Sequence, residues 1–161
     1  MQALRIGIHG LGRIGRAIYR QHLAHPELDV VMINDLNLDA DNQAYLLNHD
    51  SVYGLLAQPV TAHADHLRHQ DRQISLSHCA DPRHAPWQAH GVDVIIDAAG
   101  HTDLAGLAEW AYPGWTISTR ASTDARISTC VFGVNDHTLD LAHQRRLSSS
   151  ICDTVALAPL A

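Results

Sequence analysis

A glycine spacing near the N-terminus restricts this chain more than any other feature. Arg5-Ile6-Gly7-Ile8-His9-Gly10-Leu11-Gly12-Arg13-Ile14-Gly15-Arg16 passes from an apolar run through a turn into a helical pattern, and Gly10, Gly12 and Gly15 satisfy G-x-G-x-x-G. Each glycine answers a separate steric demand. Gly10 allows a tight turn, Gly12 lets backbone approach a pyrophosphate, and Gly15 lets the helix lie close to the strand. The helix start would offer unpaired N–H groups and the positive end of its dipole to that pyrophosphate. Alone the pattern is weak, because glycine-rich turns are common. Asp35 strengthens it. It lies twenty residues beyond Gly15, after a second apolar run, Val30-Val31-Met32-Ile33, where an acid accepts hydrogen bonds from the adenine ribose of NAD. The pair of signals predicts a strand–helix–strand unit that binds a dinucleotide.

The chain continues in the manner of such a fold. Residues 3–9 read as the first strand, and Ile14, Ala17, Ile18 and Leu23 form the apolar face of a helix that Pro26 ends. Residues 29–34 are a second strand. Asp39-Ala40-Asp41-Asn42 starts a second helix that runs to about Asp50. Residues 55–79 lack helical periodicity and alternate around Val60 and Ile74, which predicts a small antiparallel insertion. Val92-Asp93-Val94-Ile95-Ile96 is a buried strand ending at Ala98-Ala99-Gly100, on the side of the sheet where the nicotinamide half would lie. A helix over 102–111, strands at 115–119 and 130–132, a short helix at 138–143 and an edge or final strand at 146–150 complete the pattern. The fold class expected is α/β: a Rossmann-type doubly wound, mainly parallel sheet with a small antiparallel insertion.

Bulk properties narrow the partners. At 161 residues the chain is sized for one domain, 1–161, with a real core. Its apolar runs are far too short to span a membrane, and the N-terminus shows no signal-peptide pattern, so a cytoplasmic protein is the expectation. A net charge of −6 without a basic stripe argues against nucleic acid. Cys79, Cys130 and Cys152 are too few and too dispersed for a disulfide framework or zinc site. His63, His66 and His69 are three apart, a spacing that would suit a metal only on a helix; strand-like surroundings make them solvated surface histidines, with no metal expected.

Taken together the motifs resemble the glyceraldehyde-3-phosphate dehydrogenase family. The resemblance is carried by the glycine-rich opening, Ile33-Asn34-Asp35-Leu36, Ala44-Tyr45-Leu46-Leu47 with Asp50-Ser51-Val52-Tyr53-Gly54, Pro86-Trp87 with Gly91-Val92-Asp93-Val94-Ile95-Ile96-Asp97, Val131-Phe132-Gly133-Val134-Asn135, and Leu157-Ala158-Pro159. They follow in the family's order over nearly the whole chain. Erythrose-4-phosphate dehydrogenases share most of them. The resemblance implies that Gly10, Leu11, Gly12, Arg13, Ile14 and Gly15 cradle the pyrophosphate, that Asn34 and Asp35 hold the adenosine, and that Ala99 and Gly100 lie along the dinucleotide. Thr119 approximates the polar residue near the nicotinamide. An acid at position 35 implies NAD over NADP, since a carboxylate repels a 2′-phosphate. Cys152 falls where the family keeps the nucleophile that attacks an aldehyde and forms a thiohemiacetal, at a helix N-terminus that favours a thiolate. Cys79 and Cys130 read as packing.

The sequence also departs from the family. Around the nucleophile the family has Ser-Cys-Thr-Thr-Asn-Cys; here Ile151-Cys152-Asp153-Thr154-Val155-Ala156 offers no hydroxyl before the cysteine and a negative charge after it, where the family binds phosphate. His9 replaces an Asn, Ala80 stands where a basic residue often faces the adenine, and Arg120-Ala121 replaces a small residue and a Pro. The chain stops about two turns into the family's cysteine helix, so the substrate domain with the catalytic histidine is expected to lie outside it. Three readings follow: an NAD-binding domain without independent catalysis; an aldehyde dehydrogenase completed by a separate substrate-domain chain or by a homo-oligomer; and a non-enzymatic interaction module, whose Val155, Leu157 and Leu160 would be exposed and favour self-association.

Overall fold

The computed structural model describes residues 2–160; Met1 and Ala161, the outer residues of the expected 1–161 domain, lie outside them. β1 (Leu4–His9), α1 (Arg13–His22) and β2 (Leu28–Asn34) form the expected unit, with β1 and β2 parallel and paired from Leu4↔Leu28 to His9↔Asn34. α2 (Ala40–Asn48) starts where the sequence places it, because the Asp39 side chain accepts the Asn42 N–H at 3.0 Å and so pairs a donor that the first turn leaves free. Short β3 (His49–Asp50) and β4 (Gly54–Leu55) make a separate antiparallel pair.

The insertion is β5 (Val60–Ala62), β6 (His66–His69) and β7 (Arg72–Ser77). It is antiparallel within itself, but β7 also pairs in parallel with β2, so it extends the main sheet. β8 (Val94–Asp97), α3 (Leu104–Glu109), β9 (Trp115–Ser118), β10 (Ser128–Thr129), β11 (Arg146–Ser148) and α4 (Cys152–Leu157) follow. Among the described residues the main sheet has the order β10-β11-β9-β8-β1-β2-β7-β6-β5. All its pairings are parallel apart from the insertion's own.

Two cores cover the faces. Ile6, Ile8, Val30 and Ile33 pack with Tyr19 of α1 and Ala44 and Leu47 of α2 on one side. Met32, Ile95 and Val31 pack with Ala85, Trp87, Val92 and Tyr112 on the other. Gly7 is needed on that second face. A Cβ there would stand 2.7 Å from the Trp87 ring, whose Nε1–H donates to Pro82 O at 2.6 Å.

Three expectations fail, each for a local reason. The strand expected at Cys130-Val131-Phe132 is instead Ser128–Thr129. Asn135 turns the chain by accepting the Val131 N–H at 2.7 Å, and Phe132 is exposed. The helix at 138–143 gives way to a 3₁₀ turn at Asp136–Thr138 and a loop in which Asp140 accepts the Ala142 N–H; short acidic side chains that bond their own backbone compete with helix formation. His69 is buried rather than solvated, with its Nδ1 3.0 Å from the Tyr19 hydroxyl, because the insertion folds against α1. β11 is the last strand among the described residues, and β10 forms the edge beside it.

Candidate functional site

β1 leads into α1 on the face of the first core, whereas β8 leads into α3, whose Gly106 lies against Arg83 beside the segment that builds the second core. The chain therefore leaves these adjacent parallel strands on opposite faces, which makes their carboxyl ends the switch point where an open α/β sheet has its ligand crevice.

The glycine turn forms the rim of this crevice. Gly10 adopts φ +89°, and a Cβ there would come within 2.8 Å of Ala99 N, so the turn needs glycine both for conformation and for contact with the end of β8. At Gly15 a Cβ would be 2.0 Å from Gly10 O. Gly12 differs, because a Cβ would meet nothing within 4 Å. Gly12 caps α1 through its backbone, and the first turn has neither a side-chain cap nor an acidic residue. The N–H groups around Arg13 and Ile14 thus border open space at the positive end of a ten-residue helix, which suits a phosphate anion. Arg13 and Ile14 are exposed, while Leu11 is buried.

Asp35 ties the turn to β2. Its Oδ2 accepts the Leu11 N–H at 2.6 Å and its Oδ1 the Asn37 N–H at 2.8 Å. The half-buried carboxylate keeps further lone pairs for a ribose hydroxyl. Asn34 is placed differently. It is fully buried and acts as a strut: Oδ1 accepts the Cys79 N–H at 2.8 Å and the Ser77 hydroxyl at 2.7 Å, while Nδ2 donates to Cys79 O and faces His9 Nδ1, both at 2.8 Å. Its side chain supports the floor at the Asp35 end and does not face the crevice.

At the other end Gly100 is exposed, and Ala99 is buried with its N–H on Asp97 Oδ1 at 3.2 Å. Thr119 donates through its hydroxyl to Asp97 O at 3.1 Å. Cys152 is exposed at the first position of α4, with its Sγ 3.7 Å from Asp153 Oδ1. The chain reaches it from β11, after the Ser149 N–H donates to Ser118 O at 2.9 Å. That bond holds Ser149, three residues before Cys152, beside the end of β9 that carries Thr119, while Cys79 packs against the second core.

Sequence reasoning missed two residues here. Asp97 is 1% exposed and accepts the Thr102 hydroxyl at 2.7 Å and the Ser118 hydroxyl at 3.3 Å. Arg120 places a guanidinium nitrogen 3.9 Å from the Asp97 carboxylate and donates to the carbonyls of Gly100 and Thr102, which clamps that loop to the end of β9. An acid closing an otherwise apolar buried strand, Val94–Asp97, was the available signal. Its register neighbours could not be read from the sequence. Pairing places Ser77, Asn34, His9, Asp97, Ser118 and Ser148 side by side across six strands, a polar row beneath the crevice.

The family model for the glyceraldehyde 3-phosphate dehydrogenase NAD-binding domain matches residues 4–104. The chain is 35% identical over 161 residues to glyceraldehyde-3-phosphate dehydrogenase 1 of Bacillus subtilis, covering 99% of this chain and 48% of that protein. It is 34% identical over 163 residues to the glyceraldehyde-3-phosphate dehydrogenase of Geobacillus stearothermophilus (99% and 48%) and 35% identical over 161 residues to the cytosolic enzyme of Chlamydomonas reinhardtii (98% and 47%). The chain spans about half the length of the curated relatives it matches. No helix among the described residues is long and apolar enough to cross a membrane.

Proposed function

Because this chain belongs to the glyceraldehyde-3-phosphate dehydrogenase family through its NAD-binding domain, we propose that the β1/β8 crevice is its NAD site and that residues 1–161 work as that domain. The observation that carries the reading is the open cradle at Gly12, bordered by the first turn of α1, which lacks a side-chain cap, and by Asp35. Gly10, Leu11, Gly12, Arg13, Ile14 and Gly15 would hold the pyrophosphate, Asp35 the adenine ribose with Asn34 beneath it, and Ala99, Gly100 and Thr119 the nicotinamide half. NAD supplies a hydride acceptor when bound. Asp35 would exclude a 2′-phosphate by charge. Isothermal titration should give saturable NAD⁺ binding and weaker NADP⁺ binding; no saturation up to millimolar NAD⁺ would reject the assignment.

A second reading rests on the exposure of Cys152 at the start of α4, which follows the strand tied to the end of β9. There its sulfur would add to the aldehyde carbon of a sugar phosphate, glyceraldehyde-3-phosphate or erythrose-4-phosphate, to give a thiohemiacetal. A general base would come from a partner chain or a second protomer. The exposed Val155, Leu157 and Leu160 of the last helical turns offer apolar surface to such a partner. NADH formation with either substrate, lost in Cys152→Ala, is the expected result. Equal rates for the two proteins would reject this reading. A cytoplasmic location, as the cytosolic Chlamydomonas relative has by name, is part of the same proposal.

A further inference from the structure

His9 sits at the end of β1 in direct register with Asn34 of β2 on one side and Asp97 of β8 on the other. It is 2% exposed. Its tautomer follows from its neighbours. The Asn34 amide cannot flip, because its Oδ1 takes two donors, the Cys79 N–H and the Ser77 hydroxyl, while its Nδ2 also donates to Cys79 O. Asn34 Nδ2 is therefore the donor in the 2.8 Å contact with His9 Nδ1. His9 Nδ1 must accept, so the ring is neutral and carries its proton on Nε2. That Nε2 is buried with no hydrogen-bond partner among the described residues.

We propose that His9 is a positioning residue of the dinucleotide site whose protonation loosens the cofactor. This rests on the NAD reading above. In the neutral state the His9–Asn34 bond joins the ends of β1 and β2 under the two elements that hold the cofactor. Directly above it, Gly10 N–H donates to Asn34 O at 2.8 Å and Leu11 N–H to Asp35 Oδ2 at 2.6 Å. A second ring proton would set N–H against N–H at Nδ1, converting a bond into a repulsion. The strand ends would then separate, and with them the glycine turn and Asp35.

The carboxylates around His9 favour the cation by charge but are already engaged by other donors. Asp97 on β8 has Oδ1 engaged by Thr102 and the Ala99 N–H and Oδ2 by Ser118, with the Arg120 guanidinium from the end of β9 at 3.9 Å. Asp35 at the end of β2 bonds Leu11 and Asn37, and His101 beyond β8 would add like charge. Cys79, beyond β7, meets the Asn34 amide through its backbone. Burial holds the His9 imidazole below its ordinary range, opposed by the Asp97 carboxylate and a hydrogen bond to the Asn34 backbone, so the neutral form prevails near neutrality and the switch operates on the acid side of the ordinary imidazole range.

The test is NAD⁺ titration of the wild-type chain and of His9→Asn from about pH 8 to about pH 5. Asn keeps an acceptor oxygen for Asn34 and cannot be protonated in this range. Loss of one hydrogen bond predicts about fivefold weaker binding by the wild type at the acid end, with a flat profile for the variant. In parallel, ¹⁵N–¹H correlation spectra of the wild-type imidazoles should show one ring, absent in His9→Asn, in the Nε2–H form at high pH. A flat wild-type profile, an equal fall in both proteins, or an Nδ1–H ring overturns the inference. Saturable binding that shows any of these leaves the NAD reading standing. No binding at any pH removes that reading, and the inference with it.

Discussion

Replacing Gly15 by alanine sets two effects against each other. Gly15 lies inside α1, where alanine would normally stabilise an exposed helix by about 1 kcal/mol over glycine. Here the added methyl would be 2.0 Å from Gly10 O and 3.0 Å from Gly10 C, against an ordinary contact of 3.4–4 Å. The obstacle is backbone, and it cannot retreat. Gly10 N–H is bonded to Asn34 O at 2.8 Å, and the turn already lies against Ala99. Either α1 moves off the strand or the turn distorts. A clash of 2.0 Å with backbone belongs at the upper end of the about 1–3 kcal/mol that overpacking costs, so after the about 1 kcal/mol helix gain the net loss should be about 2 kcal/mol, or about 4–8 °C in Tm for a chain of this size. Gly12→Ala is the control. Its methyl enters open space, so stability should change by only about 0.5 kcal/mol, set by the poorer helix cap. That same space is the proposed pyrophosphate cradle, so NAD⁺ affinity should fall at least about tenfold, or about 1.4 kcal/mol. Thermal denaturation and isothermal titration of both variants decide the matter. A Gly15→Ala protein as stable as wild type would refute the steric argument, and a Gly12→Ala protein with unchanged affinity would refute the cradle.

Other perturbations probe the remaining parts of the site and core. Asp35→Asn replaces one carboxylate oxygen with an NH₂ and removes charge from the acceptor of the Leu11 N–H; at about 1.5–3 kcal/mol for a charged hydrogen bond, NAD⁺ should bind about tenfold to a hundredfold more weakly by titration, with NADP⁺ less penalised. Asp97→Ala would strand the Thr102 and Ser118 hydroxyls and remove the carboxylate beside Arg120. Loss of one partner from a buried charged network costs about 3–5 kcal/mol, readable as a lower urea midpoint, while Asp97→Asn should cost less. Burial lowers the pKa of His9, His22 and His69 from 6.5. The unfolded chain therefore takes up protons first as pH falls, and stability should be intact above about pH 6.5 and decline below it. The carboxylates of Asp81 and Asp124, held down to about 2 by Arg83 and Arg126, stay ionised through that window, so a urea midpoint that does not fall between about pH 7.5 and about pH 5 would contradict the histidine account.

Much of the fold was legible because its signals are local. The glycine turn, the Asp39 cap, the apolar face of α1 and the hydrophobic runs of β1, β2 and β8 each lie within a few residues. The insertion was recognisable as antiparallel from its alternation, but its attachment to β2 through β7 was not, since parallel pairing leaves no turn signal. The segment 128–143 was misread because Asn135, Asp136 and Asp140 satisfy the backbone themselves. Gly10, Gly12 and Gly15 form the turn from β1 into α1, and Asp35 bonds its Leu11 N–H. Asn34 turned out to be a buried strut, a distinction between neighbours that depends on which face of β2 each side chain takes.

The sequence by itself determined the β1–α1–β2 unit and its glycine turn, because strand, turn and helix there depend on steric rules within one short stretch. Only the tertiary structure decided that β8 lies next to β1, with His9 opposite Asp97 and Asn34. Those residues are far apart in the chain, and the register of parallel strands, set by the packing of both cores, aligned them into one buried polar row beneath the crevice.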